Sequence, residues 1–242
     1  MELRGARALV TGAGVRVGRA LAEALMREGA HVAIHYRGSE RGAREAAAEG
    51  KGMGVNVALL QADLADAAMA RGLAARAADA LGGLDILVNS AAIMERRPIA
   101  DVTPEDWDRA MDLNLRAAFF TAQGAAAAMG GAGGAIVNVA DLAAFERWTG
   151  YPVHVLSKAG VVVMTELMAR AFAPRIRVNA IAPGAVLLPD DWDEAMRAKL
   201  AQTTPLRRLG TAQDVADAML YLLASDYVTG ETIVVDGGRR IR

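Results

Sequence analysis

Seven short runs rich in β-branched residues alternate with Ala/Leu-rich stretches of helical composition, and this alternation leaves few folds open. The runs are Arg7 to Thr11, His31 to Tyr36, Val55 to Ala62, Asp85 to Asn89, Ala135 to Ala140, Ile176 to Ala180 and Thr232 to Val235. Parallel strands need long crossovers, and the intervening helices supply them. The reading is therefore an α/β chain: a doubly wound, mostly parallel sheet of about seven strands with helices on both faces. In such a sheet the ligand crevice lies beyond the carboxyl ends of the strands, so functional residues are expected just after strands. A chain of 242 residues with 53% hydrophobic composition suits one core, and residues 1–242 read as a single domain. Gly130-Gly131-Ala132-Gly133-Gly134 and Asp236-Gly237-Gly238 read as turns at element ends, not as linkers. The longest irregular stretch runs from Gly184 to Gly210, with Pro189, Pro205 and a short helical pattern from Trp192 to Leu200; it is the candidate substrate lid.

Composition narrows the partners. A formal net charge of -1 without any basic block gives no electrostatic footprint for nucleic acid or an anionic membrane, so a small molecule is expected. No window has the length of apolar sequence a bilayer span needs, and the start of the chain lacks a signal-peptide core; the expectation is a cytoplasmic protein. With zero cysteines, disulfides, thiolate catalysis and Cys-ligated zinc are excluded, and the three histidines lack ligand spacing, so no metal is expected.

After the first strand stands Thr11-Gly12-Ala13-Gly14-Val15-Arg16-Val17-Gly18, opening a helix predicted over Arg19 to Arg27. Glycines there allow a tight turn and close backbone approach to a pyrophosphate, and the helix N-terminus offers free N–H groups and positive potential. The setting is that of a Rossmann-type dinucleotide site; the plain alternative is an ordinary strand-to-helix turn. The second strand ends in His35-Tyr36-Arg37-Gly38-Ser39, without the carboxylate that would bind an unphosphorylated ribose and repel a 2′-phosphate. This argues for NADP(H), with His35, Arg37 and Ser39 as phosphate donors.

The Thr-Gly, three residues, Gly, one residue, Gly pattern resembles the short-chain dehydrogenase/reductase family, except that Arg16 occupies the place of the middle glycine. That departure, and the His-Tyr-basic-x-Ser run at Tyr36, resemble the pteridine reductase branch, in which the arginine helps hold the cofactor phosphates. A solvated surface side chain is the other reading of Arg16. The resemblance assigns Asp63 and Leu64 to adenine contacts and Asn89-Ser90-Ala91 to the family's Asn-Asn-Ala-Gly turn, with Asn89 structural. It also places Pro183-Gly184 at the nicotinamide. The threonine usual a few residues on is replaced by Leu187 and Leu188.

In this family a Tyr and a Lys lie four apart on one helix stripe. Lys158 fits the lysine, which the resemblance assigns to the nicotinamide ribose, but His154 stands where the tyrosine would be. Asp141 takes the position of the usual serine, as in the pteridine reductases. Asn114, in Asp112-Leu113-Asn114-Leu115, matches the helix asparagine that anchors a water relay. An imidazole can give a proton, so His154 reads as a participating donor, a passive pocket residue, or the mark of a lost activity. Tyr151, one turn earlier, is a second candidate donor, or packs at the helix start. Asp141 either caps a turn or orients the imidazole. Met94 lies where the branch stacks an aromatic residue on its pterin, and Leu187 joins it on the substrate side. The resemblance implies an NADPH-dependent reductase acting on a pterin-like or other C=N/C=O group. It also implies a homotetramer, whose faces would come from the helices Pro104 to Met129 and Tyr151 to Ala173. The alternatives are a nucleotide-binding sensor or scaffold, and a reductase of an unrelated carbonyl substrate.

Overall fold

A computed structural model describes residues 1–186, 188 and 193–241. Leu187, Pro189 and Trp192 lie outside the described residues. The strands are β1 (Arg7–Val10), β2 (His31–Tyr36), β3 (Val57–Gln61), β4 (Ile86–Asn89), β5 (Gly134–Val139), β6 (Ile176–Pro183) and β7 (Thr232–Val235). They form one sheet in the order β3-β2-β1-β4-β5-β6-β7, and every neighbouring pair is parallel. The order reverses between β1 and β4, which opens a crevice at their carboxyl ends.

The single-domain α/β architecture follows from the two-residue period of the strands. Ala8, Val10, Val32, Ile34, Ile86, Val88 and Val137 face one side. They pack there against α1 (Arg16–Arg27), α2 (Glu40–Gly52) and α9 (Ala212–Ala224). Leu9, Ala33, Leu87, Ile136 and Val178 face the other side, under α3 (Ala67–Leu81), α5 (Ala117–Met129) and α7 (Pro152–Phe172). Between them run α4 (Pro104–Met111) and the short α6 (Ala143–Glu146), and α8 (Glu194–Thr203) precedes α9.

Local signals account for the helix ends. Thr103 and Asp106 form a reciprocal capping box at α4 with Pro104 in the first turn, and Thr211 with Asp214 does the same at α9. Asp66 caps α3, which ends at Gly82 in the left-handed conformation.

Several expected boundaries move. The predicted strand Val55 to Ala62 shortens to Val57–Gln61, and the run predicted to end at Ala180 continues to Pro183, because Ala180, Ile181, Ala182 and Pro183 pair with β7. The single helix expected over Pro104 to Met129 is broken by a π turn at Asp112–Arg116. Such an extra residue in the helical ladder re-aims a side chain, and the one it turns inward is Asn114. Helix α1 begins at Arg16, not Arg19.

Candidate active site

The turn after β1 is tied to its neighbours on both sides. Gly12 N–H donates to His35 Nδ1 at 3.1 Å and Ala13 N–H to the His35 carbonyl at 2.8 Å. Thr11 Oγ1 accepts from Ser90 N–H at 2.9 Å and Ala91 N–H at 3.1 Å, holding the loop after β4 against the turn. Gly12 lies at φ +65, and a Cβ there would come within 2.9 Å of the Ala91 Cα. At Gly18 a Cβ would meet the Gly12 carbonyl oxygen at 2.3 Å, so only glycine lets α1 seat on the turn. Gly14 presses against Ser39 in the same way.

The result is a helix N-terminus aimed into the crevice. No side chain caps α1 at Val15, no acid lies in its first turn, and the N–H groups near Arg16, Val17 and Gly18 have no carbonyl of their own helix to bind. Ser39, at the start of α2, also makes no capping bond, leaving its hydroxyl beside the turn. These donors suit a dinucleotide's phosphates.

Arg16 shows why its position normally favours glycine. Its φ is +53, a left-handed conformation that costs a non-glycine residue about 1 kcal/mol or more. A side chain kept at such a price points to a function. Arg16→Gly is expected to leave the thermal midpoint unchanged or raised, while weakening NADPH binding about tenfold through the lost cation. Fluorescence titration beside a thermal melt reads both.

His35 takes a different part from the one the sequence suggested. Both ring nitrogens are engaged, Nδ1 accepting from Gly12 N–H and Nε2 donating to the Ala62 carbonyl at 3.2 Å. Burial pulls its pKa down to about 4, so it is a neutral staple between turn and β3 rather than a cation for a phosphate. Tyr36 is buried in the core. Arg37 is exposed at the end of β2, with Asp63 3.7 Å away. Leu64 is buried, and Asp63 accepts from Ala65 N–H. Asn89 donates to the Ala118 carbonyl at 3.1 Å and to Asn138 Oδ1 at 3.0 Å, a structural crosslink between layers. Pro183 accepts from Leu142 N–H, and Gly184 packs so closely on Asp236 that a Cβ would meet its Cα at 2.9 Å. Met94 is exposed, and Leu187 lies outside the described residues.

Past the carboxyl ends of β4 and β5, α7 brings the remaining candidates together. Lys158 is buried and its Nζ donates to the Val139 carbonyl at 2.6 Å; burial lowers its pKa to about 8, with the charge of Asp141 opposing the shift. Asp141 Oδ1 accepts from Ala143 N–H at 2.7 Å, closing the turn that leads into α6, and Oδ2 lies 3.4 Å from His154 Nε2. The other imidazole nitrogen, Nδ1, lies 3.1 Å from the Ile93 carbonyl oxygen. That same backbone unit is gripped by Asn114, whose Oδ1 accepts from Ile93 N–H at 2.8 Å and whose Nδ2 donates to the Ile93 carbonyl at 2.9 Å. Asn114 Nδ2 also donates to Ser157 Oγ, which donates in turn to the His154 carbonyl. Tyr151 stands at the start of α7 with its ring edge-on to Trp148, 6.2 Å between centroids.

These groups form one connected polar cluster beside the buried Lys158. Ile93 and Val139 act through backbone carbonyls, which leave no signal in sequence. Ser157 has one: a hydroxyl beside the lysine on a helix otherwise apolar at that level.

Elsewhere lies a groove of about 630 Å³ lined by Leu115, Phe119, Phe120, Val163, Met164 and Leu167. It is apolar and has none of the polar cluster around His154 in its lining. Among the described residues no helix is long and apolar enough to cross a membrane, and no group of three metal-ligating side chains occurs.

Comparison with known proteins fits this layout. The family model described as enoyl-(acyl carrier protein) reductase matches residues 12–240. The 3-oxoacyl-(acyl-carrier-protein) reductase FabG of Staphylococcus aureus is 36% identical over 238 residues, covering 96% of each chain. A short-chain dehydrogenase/reductase from Serratia marcescens superposes with a TM-score of 0.92 at 32% identity, covering 99% of this chain and 100% of that one. The FolM alternative dihydrofolate reductase 1 from Brucella canis, complexed with NADP, superposes with a TM-score of 0.94 at 29% identity, covering 100% of this chain and 96% of that one.

Proposed function

Since the chain belongs to the short-chain dehydrogenase/reductase family, we propose that it reduces a pterin-like substrate, or a related C=N or C=O group, with NADPH as hydride source. It is an NADP(H)-dependent oxidoreductase. The observation that carries the finer reading is the convergence of Asp141, His154 and Lys158 past the end of β5. The structural likeness to a dihydrofolate reductase bound to NADP supports it further.

The N–H groups of α1, with Arg16 and Ser39, would hold the pyrophosphate and its neighbours. Arg37 would meet the 2′-phosphate, since no carboxylate ends β2. When bound, NADPH supplies a hydride from its nicotinamide ring. The chain's own task is to bind the ribose through Lys158, exclude water, and deliver the matching proton. His154 Nδ1 faces a carbonyl oxygen and therefore carries hydrogen. A neutral ring would then aim a lone pair at an oxygen of Asp141, two acceptors 3.4 Å apart. A proton held between them removes that conflict and lies ready for the substrate. Tyr151 lines the entrance with Met94, and the segment 184–210 serves as lid. The apolar groove on α5 and α7 is one contact of a homotetramer, and the protein works on a small molecule without nucleic acid or membrane.

NADPH oxidation followed by absorbance tests the reading, with dihydrobiopterin, dihydrofolate, a 3-oxoacyl thioester and a quinone as substrates. Turnover restricted to the thioester would move the specificity toward that of the Staphylococcus relative, while no turnover across the panel and across pH would favour a sensor. His154→Tyr is expected to raise turnover on the accepted substrate about tenfold, the phenol reaching further than the imidazole. A dead enzyme in both forms would count against a reductase pocket.

A further inference from the structure

The three histidines do not share one tautomer. His31 Nδ1 accepts from Asn56 N–H at 3.0 Å, and His35 Nδ1 accepts from Gly12 N–H at 3.1 Å, so each neutral ring carries its hydrogen on Nε2. His154 is reversed, because its Nδ1 faces the Ile93 carbonyl oxygen. Its Nε2 is buried without a hydrogen-bond partner among the described residues, and Asp141 Oδ2 lies 3.4 Å from it.

What holds that carbonyl is Asn114. Its amide brackets the Ile93 peptide on both sides, accepting from the N–H and donating to the oxygen, and it is turned inward by the π turn between α4 and α5. The Ile93 carbonyl accepts two hydrogen bonds at once, from Asn114 Nδ2 and from His154 Nδ1. A peptide held in this way cannot rotate its oxygen away from the imidazole, so the ring cannot exchange its tautomer without losing a bond.

We propose that Asn114, acting through the Ile93 peptide, is a positioning residue that locks His154 in the Nδ1–H form and thereby directs Nε2, the site of the transferable proton, at Asp141. This rests on the reading that Asp141 and His154 deliver the proton, yet its first test needs no substrate. Facing groups bear out the arrangement: Asp141 from the loop after β5, Lys158 from α7, and Ser157 anchoring both Asn114 and the His154 carbonyl.

Magic-angle-spinning 15N spectra of histidine-labelled protein report tautomers directly, and His154→Gln assigns the signals of residue 154. In the unaltered protein, His31 and His35 are expected in the Nε2–H form and His154 alone with hydrogen on Nδ1. A bare Nδ1 at His154 overturns the proposal, whatever the enzyme later turns over. In Asn114→Ala the His154 signals are expected to split between tautomers, with kcat falling about tenfold, a displaced pH profile, and KM for NADPH within about twofold of the original. A single unchanged tautomer in Asn114→Ala would also overturn it. Should that variant not fold, the spectrum of the unaltered protein still decides.

Discussion

Lys158→Met is expected to give a protein that melts a few degrees higher and turns over about a thousandfold more slowly. The two effects share one cause. Burial lowers the Lys158 pKa from its ordinary 10.5 to about 8, so the folded state holds this ammonium less willingly than the unfolded chain does. At about 1.4 kcal/mol per pH unit, keeping the charge at neutral pH costs the fold about 3 kcal/mol. That cost is present in full below about pH 8 and is relieved as pH rises toward 10.5, so native stability from this group rises across that window. Methionine carries no charge and fills much the same volume. The lost hydrogen bond to the Val139 carbonyl offsets part of the gain, leaving about 1 kcal/mol, or roughly 2–4 °C in a chain of this size. Thermal melts of both proteins at pH 7 and pH 10 check the sign: the advantage of methionine shrinks at the higher pH. If the variant melts lower at pH 7, the buried ammonium is not a strained group. The loss of turnover is expected from removing the cation proposed to hold the ribose.

The second large effect is expected at Asp141. In Asp141→Asn the amide oxygen is expected to keep accepting from Ala143 N–H, while the amide N–H is expected to turn to the lone pair on His154 Nε2, 3.4 Å away in the parent. Every hydrogen bond is then satisfied and no proton is left to transfer. The variant is expected to fold as stably as the parent and to bind NADPH equally well, with kcat reduced about 10²–10³-fold. Steady-state rates, beside a fluorescence titration with NADPH, separate this from damage to the cofactor site. Full turnover in the amide variant would remove the carboxyl group from the proton path.

The apolar groove and the polar cluster around His154 differ in character. The groove lies on the outward faces of α5 and α7, where Phe119, Val163 and Leu167 are exposed. Such a patch on an otherwise mixed surface suits a subunit contact. The proposed catalytic groups instead lie past the ends of β4 and β5, their polar atoms joined through backbone carbonyls.

How far the sequence reached depends on the range of each signal. Period-two runs and glycine turns are local, so the seven strands, their parallel winding and the turn after β1 were legible from residue order, as was the helix stripe that brings His154 and Lys158 to one face. Strand ends were not, because β6 runs on to Pro183 only by pairing with a strand some fifty residues away in sequence. Nor was the π turn, whose extra residue answers to the packing of Asn114 against Ile93.

Residue types alone, then, determined the architecture, the nucleotide crevice and the absence of a tyrosine four residues before Lys158. Tertiary structure decided what each histidine nitrogen faces, that Arg16 sits in a left-handed turn, and that both ring nitrogens of His35 are engaged by backbone groups. The reason is physical: side-chain identity fixes which bonds a group is able to make, whereas its protonation and orientation are set by carbonyls and amides that any residue supplies. Those partners, 61 positions apart for His154 and Ile93, meet only once the sheet has closed around them.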